Sequence, residues 1–126
     1  MTRINCVPVE ELSRQHLLAE WRELPRVFKL AANAYASGKK IIAPETYTLG
    51  EGHVKFFYKR LGFISERFYQ LRNEMLRRGY EPSFAAVPFF NVPEGWFIGW
   101  NPDEKALAIN RARIAERNSK TLLAQK

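Results

Sequence analysis

Two stretches of this chain carry side chains whose types and spacing suit chemistry on an anion. Between Gln15 and Phe28, steps of four and three place His16, Glu20 and Glu23 along one line of a helix. The same spacing puts Arg26 one turn beyond both Arg22 and Glu23. Nearer the C-terminus Arg113 and Arg117 are again four apart, with Asn110 on the same side. The ordinary reading of such a pattern is a solvated helix face laced with Glu–Arg pairs, each worth about 0.2–0.5 kcal/mol. Two arginines spaced by four repel each other, however, and their forked donors match the geometry of phosphate. If the two polar faces meet, four guanidinium groups surround Glu23, and that cluster needs an anion.

Metal chemistry finds little support. The single Cys6 excludes an internal disulfide, and with only His16 and His53 beside it a zinc cluster is not expected. The site is therefore expected to hold no metal and no cofactor.

The charge balance agrees with an anionic partner. The 126 residues hold 20 Lys+Arg against 13 Asp+Glu, a net charge of +7. Residues 31–80 carry nine basic and four acidic side chains, whereas residues 1–30 carry five and four, and residues 81–126 six and five. A surplus in the middle of the chain suggests a basic face rather than a basic tail, and so a phosphate-rich partner. The plainer alternative is a solvated basic face. With 46% hydrophobic and 13% aromatic residues, the chain is too apolar for a disordered basic segment. Its length suits one compact domain over 1–126. No apolar run approaches the roughly 20 residues of a membrane helix, and the N-terminus lacks a signal-peptide layout, so a cytoplasmic protein without membrane association is expected.

Helical periodicity supplies the frame for these groups. From Ser13 to Gly38, Leu17, Trp21, Leu24, Phe28, Ala31 and Tyr35 follow alternating steps of four and three, which predicts one apolar face. Ser13 suits the N-cap and Gly38 the stop. Pro25 falls inside the pattern, predicting one kinked helix with the kink beside Glu23 and Arg26. Lys39 to Glu51 keeps no period and reads as a loop. Gly52 to Gly79 is helical again, and Gly62 is expected to mark a bend between a short helix and a longer one. Residues 80–100 interleave Pro82, Pro88 and Pro93 with aromatics, an irregular segment packed onto the helices. Asn101-Pro102-Asp103-Glu104 combines an N-cap, Pro at N1 and first-turn acids, so a third helix is predicted from about Pro102 to Arg117. The expected fold is all-α, a single compact domain of three main helices with irregular connections.

Met1-Thr2-Arg3-Ile4-Asn5, then Gln15-His16-Leu17, Glu20 and Arg22-Glu23-Leu24-Pro25-Arg26-Val27-Phe28, closely resemble the bacteriophage-type pyrimidine-dimer DNA glycosylases of the endonuclease V type. The likeness continues through Gly38-Lys39, Leu49-Gly50, Gly52-His53-Val54, Phe56-Phe57-Tyr58 and Gly79, and returns more weakly at Ala108-Ile109 and Ala112-Arg113. The resemblance implies an enzyme that binds damaged double-stranded DNA and cleaves the N-glycosidic bond of the 5′ base of a cyclobutane pyrimidine dimer. It also implies a nick at the resulting abasic site by β-elimination, which makes the enzyme a bifunctional glycosylase and AP lyase, together with extrusion of the adenine opposite the dimer.

The same resemblance assigns roles. Met1 is removed, and the α-amine of Thr2 is the nucleophile that forms an imine with the sugar. Glu23 stabilises positive charge developing on the sugar and assists proton transfer in the elimination. Arg3, Arg22, Arg26, Arg113 and Arg117 hold the phosphates flanking the lesion, and His16 positions the amine or a phosphate. A monomer located at the nucleoid through DNA binding is expected. An α-amine titrates near 7.7–8.0, roughly, so part of it is neutral at physiological pH, and neighbouring Arg3, Arg22 and Arg26 lower it further. A carboxylate facing an oxocarbenium-like sugar is favoured in a water-poor site.

Other readings stand beside these. Glu23 could serve only as the salt-bridge partner of Arg26, and His16 only as a hydrogen bond near a helix N-terminus. The protein could apply the same imine chemistry to another damaged base, or bind damaged DNA without catalysis. The chain also departs from the family at its end, where Trp100 is the last aromatic and a tyrosine-rich tail is missing. Phe89, Phe90, Trp96, Phe97 and Trp100 either replace that tail as a stacking surface or fill the core, with Trp96 the one expected to be exposed.

Overall fold

The computed structural model describes residues 3–83, 86–87 and 91–124, with side chains as far as Asn118. Thr2, Phe89 and Phe90 lie outside the described residues. The regular elements among the described residues are helical: α1 Arg14–Glu23, α2 Pro25–Ala36, α3 His53–Phe56, α4 Leu61–Arg77 and α5 Glu104–Ala124, with 3-10 turns at Val9–Glu11 and Glu94–Trp96. The fold is all-α. The expected three main helices become four, because the first divides, and a one-turn helix precedes α4.

The division falls at Leu24, whose φ of −57° and ψ of −42° keep the chain on a helical path. Pro25 has no N–H to offer the carbonyl of Trp21, so it starts α2 at the position where that loss costs least. The α1–α2 junction thus sits beside Glu23. Ser13 caps α1 by accepting from the His16 amide at 3.3 Å, and Gly38 ends the α2 region at φ +69°.

The break before α4 does not fall at Gly62. The chain leaves the helix at Phe57 and re-enters at Leu61, with Phe56 and Phe57 both buried on the way. Gly62 instead lies in the first turn of α4, where a Cβ would meet the Ile98 and Phe97 backbones at 2.9 Å. It lets the irregular segment approach α4 closely there. At α5, Asp103 rather than Asn101 caps the helix, accepting from the Ala106 amide at 2.8 Å, and the helix runs on to Ala124, beyond the expected Arg117.

The predicted apolar face is borne out through Ala31: Leu17, Trp21, Leu24, Phe28 and Ala31 are buried together with Ile64, Phe68 and Leu71 of α4. Tyr35, at the end of that face, is exposed. Trp21 and Phe68 hold their ring centres 4.8 Å apart. Trp100 fills the core side of the irregular segment, stacked on Tyr47 at 5.8 Å and meeting Phe56 and Phe63 edge-on. Trp96 is half-buried, against the edge of Tyr35 and beneath the Lys59 ammonium, because Pro93 and Glu94 turn the chain back there. Exposure falls on Phe97 and Ile98 instead.

Residues 4–7 belong to no regular element, yet all four are buried. A buried irregular segment must find partners for its backbone polar groups outside any ladder. Here the Ile4 N–H donates to His53 Nε2 at 2.8 Å, and the Tyr47 hydroxyl donates to the Ile4 carbonyl at 3.0 Å. The N–H groups of Cys6 and Val7 both donate to Asn110 Oδ1, at 2.7 and 3.1 Å, and Arg67 Nη1 donates to the Val7 carbonyl. Four side chains, from the loop before α3 and from α3, α4 and α5, therefore fix the path of the N-terminal segment.

Candidate active site

The N-terminal segment, one side of α1 and a residue of α5 enclose a cavity of about 360 Å³. Arg3, Gln15, His16, Ala19, Glu23 and Arg117 line it, together with Asn5 and Glu20. Four of the expected site residues, Arg3, His16, Glu23 and Arg117, thus share one hollow although they span 114 positions of sequence, from 3 to 117. Glu23 is held by Arg26 at 3.1 Å across one helical turn. Arg26 is 65% exposed, so that pair contributes only about 0–1 kcal/mol.

Positive charge crowds the cavity. Burial lowers the pKa of Arg3, and the like charges of Arg113 and Arg117 lower it further, which shows how closely α5 brings its arginines to the N-terminal segment. His16 is also pushed below its ordinary value, first by burial and then by Arg3 and Arg117, with Glu20 opposing. Its Nδ1 lies 2.8 Å from Ser13 Oγ, so the helix cap orients the ring. A neutral imidazole, a half-buried carboxylate and two guanidinium groups around one hollow can bind an anion and move a proton.

The expected ring of four guanidinium groups around Glu23 is not what the fold builds. Arg22 is exposed and, like Arg113, stands outside the lining among the described residues. Arg113 reaches toward Glu116 at 3.5 Å while acting on Arg3. Arg3 joins Glu23 and Arg117 in the lining, because the N-terminal segment runs between α1 and α5 and is tied to both through Asn5.

Two residues expected on polar faces are buried instead. Glu20 is 2% exposed and accepts from Arg67 Nε at 2.8 Å, from Arg67 Nη2 at 3.0 Å and from Asn5 Nδ2 at 2.8 Å. Asn110 is fully buried and donates to Asn5 Oδ1 at 2.8 Å. Sequence reasoning missed Asn5, Arg67, Tyr47 and His53 as parts of this scaffold. One signal was available: Arg67 lies three residues after Ile64 and four before Leu71, in the apolar stripe of α4, where an arginine requires a buried carboxylate.

Comparison with known protein families matches residues 1–86 to the pyrimidine dimer DNA glycosylases. The chain belongs to that family. It is a DNA-repair glycosylase, and DNA is its substrate. The matched stretch of this pyrimidine dimer DNA glycosylase contains Arg3, His16, Glu20 and Glu23 of the cavity. Arg117 and Asn110 fall beyond it, so α5 completes the site from outside the matched residues. No helix among the described residues is long and apolar enough to cross a membrane.

Proposed function

We propose that this glycosylase acts on the 5′ base of a cyclobutane pyrimidine dimer in duplex DNA, through the α-amine of Thr2 after Met1 is removed, and then cleaves the abasic site. It does so as a single-domain cytoplasmic monomer without a cofactor. The reading rests chiefly on the position of Arg3, the residue joined to Thr2, in the same cavity as Glu23. One trans peptide separates neighbouring Cα atoms by about 3.8 Å, which keeps the terminal amine within reach of that cavity.

The chemistry follows from the groups present. The amine lone pair attacks the sugar C1′, the bond from C1′ to the base nitrogen breaks, and the base leaves with the electron pair and takes up a proton. One amine proton is lost to balance that uptake, the other passes to O4′ as the C1′–O4′ bond breaks and opens the sugar ring, and an imine forms between Thr2 and C1′. That imine acidifies C2′; removal of a C2′ proton and departure of the 3′ phosphate oxygen complete the β-elimination. Water then releases the enzyme. Glu23 balances the positive charge on the sugar in the first stage and accepts the C2′ proton in the second. Arg3, Arg22, Arg26, Arg113 and Arg117 neutralise phosphates on either side of the lesion, with His16 beside them.

Reductive trapping tests the nucleophile. With borohydride and a dimer-containing duplex, the unaltered protein is expected to give a covalent adduct, and Thr2→Ala to retain it, since the amine belongs to the backbone. One residue added before Thr2 is expected to abolish the adduct. The reverse pattern overturns the mechanism. An adduct with an abasic duplex alone leaves the imine chemistry intact and assigns it to a different lesion.

A further inference from the structure

His53 is buried, is not among the residues that line the cavity, and has no role in the chemistry above. Its two ring nitrogens are nonetheless both committed. Nδ1 lies 2.7 Å from the Thr48 carbonyl, which can only accept, so Nδ1 carries the proton. Nε2 receives the Ile4 N–H at 2.8 Å and must present a lone pair. The ring is therefore neutral in the folded protein, with a single proton whose place the fold dictates. Tyr47 meets the ring edge-on at 5.5 Å and holds the other backbone group of Ile4. Ile4 is itself fully buried and stands two residues from Thr2.

We propose that His53 is a positioning residue for the amino terminus: its neutral imidazole fixes Ile4, and through Ile4 the reach of the Thr2 amine into the cavity, and protonation of the ring releases that hold. The proposal rests on the reading of Thr2 as nucleophile. A proton on Nε2 would set one donor against another, since the Ile4 N–H already points there. The groups bearing on that proton come from every side. Burial opposes it most strongly, the Thr48 carbonyl favours it, Arg3 on the N-terminal segment opposes it, and Glu20 on α1 favours it. Tyr47 and Phe57 complete the enclosure. The net effect holds the pKa below its ordinary 6.5. A base whose folded pKa is depressed contributes stability that is fully present above 6.5 and is lost as pH falls.

The test uses His53→Phe, which keeps a ring but removes the acceptor, and His53→Gln, whose amide oxygen replaces Nε2 and does not titrate. Single-turnover trapping with cyanoborohydride on a dimer-containing duplex is measured from pH 5 to 7.5, beside affinity for the same duplex. His53→Phe is expected to trap about a hundredfold more slowly with affinity unchanged, the effect of an ångström of misplacement. His53→Gln is expected to recover most of the rate at pH 7.5. Protonation of the amine and of His16 slows both proteins in acid, but the unaltered protein should show a plot of log rate against pH that is steeper by one at its acid end than that of His53→Gln. Equal trapping by His53→Phe, affinity lost in step with rate, or parallel profiles would overturn the proposal. The protein extended before Thr2 separates the two ideas. If it still forms the adduct, the Thr2 reading falls and takes this one with it; if it forms none while the unaltered protein does, the His53 variants decide alone.

Discussion

Glu20 and Glu23 leave α1 three residues apart and enter opposite surroundings. On the inner side Glu20 is saturated: Arg67 and Asn5 donate to it, Asn110 ties Asn5 to α5, and the charge of the pair closes on itself. On the outer side Glu23 pairs with Arg26 of α2 and lines a hollow shared with Arg3 from the N-terminal segment and Arg117 from α5. Both carboxylates fit a helix-period pattern equally well. The donors to the inner one, Asn5 and Arg67, are themselves buried, and that burial marks it as structure. The outer one has a cationic surplus that a phosphate backbone would neutralise.

The largest effect expected from this contrast is on stability. Glu20→Ala leaves the Arg67 guanidinium buried without its carboxylate and is expected to cost about 3–5 kcal/mol in chemical denaturation. Replacing both partners with apolar residues, Glu20→Leu with Arg67→Met, should recover much of that loss, because the desolvation of both charges disappears with them. An equal loss from Glu23→Ala would erase the distinction between the two regions.

Glu23→Gln should show the opposite profile. The neutral amide keeps the shape but cannot balance a positive sugar or accept a proton, so trapping on a dimer duplex is expected to slow about 10²–10³-fold. Stability should shift by no more than the roughly 0–1 kcal/mol of an exposed pair, and damaged duplex should still bind. Loss of binding together with rate would recast Glu23 as part of the scaffold.

The contrast also explains what could be read from sequence. The apolar stripe of α1 and α2, the Ser13 cap, the stop at Gly38 and the loop after it were all legible, because each depends on residues within a few positions of one another. Burial of Glu20 was not, since its partners lie at Asn5 and Arg67, and no local period connects those positions. The same holds for His53, whose acceptor role exists only because Ile4 returns to it across 49 residues. Four of the residues that line the cavity, Arg3, His16, Glu23 and Arg117, stood out in the sequence, whereas Arg22, Arg26 and Arg113 fall outside its lining and its geometry was not legible. Periodicity describes helix faces, whereas a central piece of this site is a segment that is neither helix nor strand.

The finest test of the outer region concerns Arg117. It lines the cavity from α5, beyond the stretch that matches the family, so its contribution distinguishes a site completed by this helix from one confined to residues 1–86. Each phosphate contact releases about one counterion, and the slope of log affinity against log salt changes by about 0.9 for each contact removed. Arg117→Ala should therefore lower that slope by about 0.9 on damaged and undamaged duplex alike, because a phosphate contact carries no lesion information. Arg111 serves as the internal control. It lies on the same helix but pairs with Glu11 at 2.8 Å, away from the cavity, and Arg111→Ala should leave the slope where it was. Equal slope changes in the two variants would mean that α5 contributes only general positive charge, and that Arg117 does no more at this cavity than any other cation of the helix.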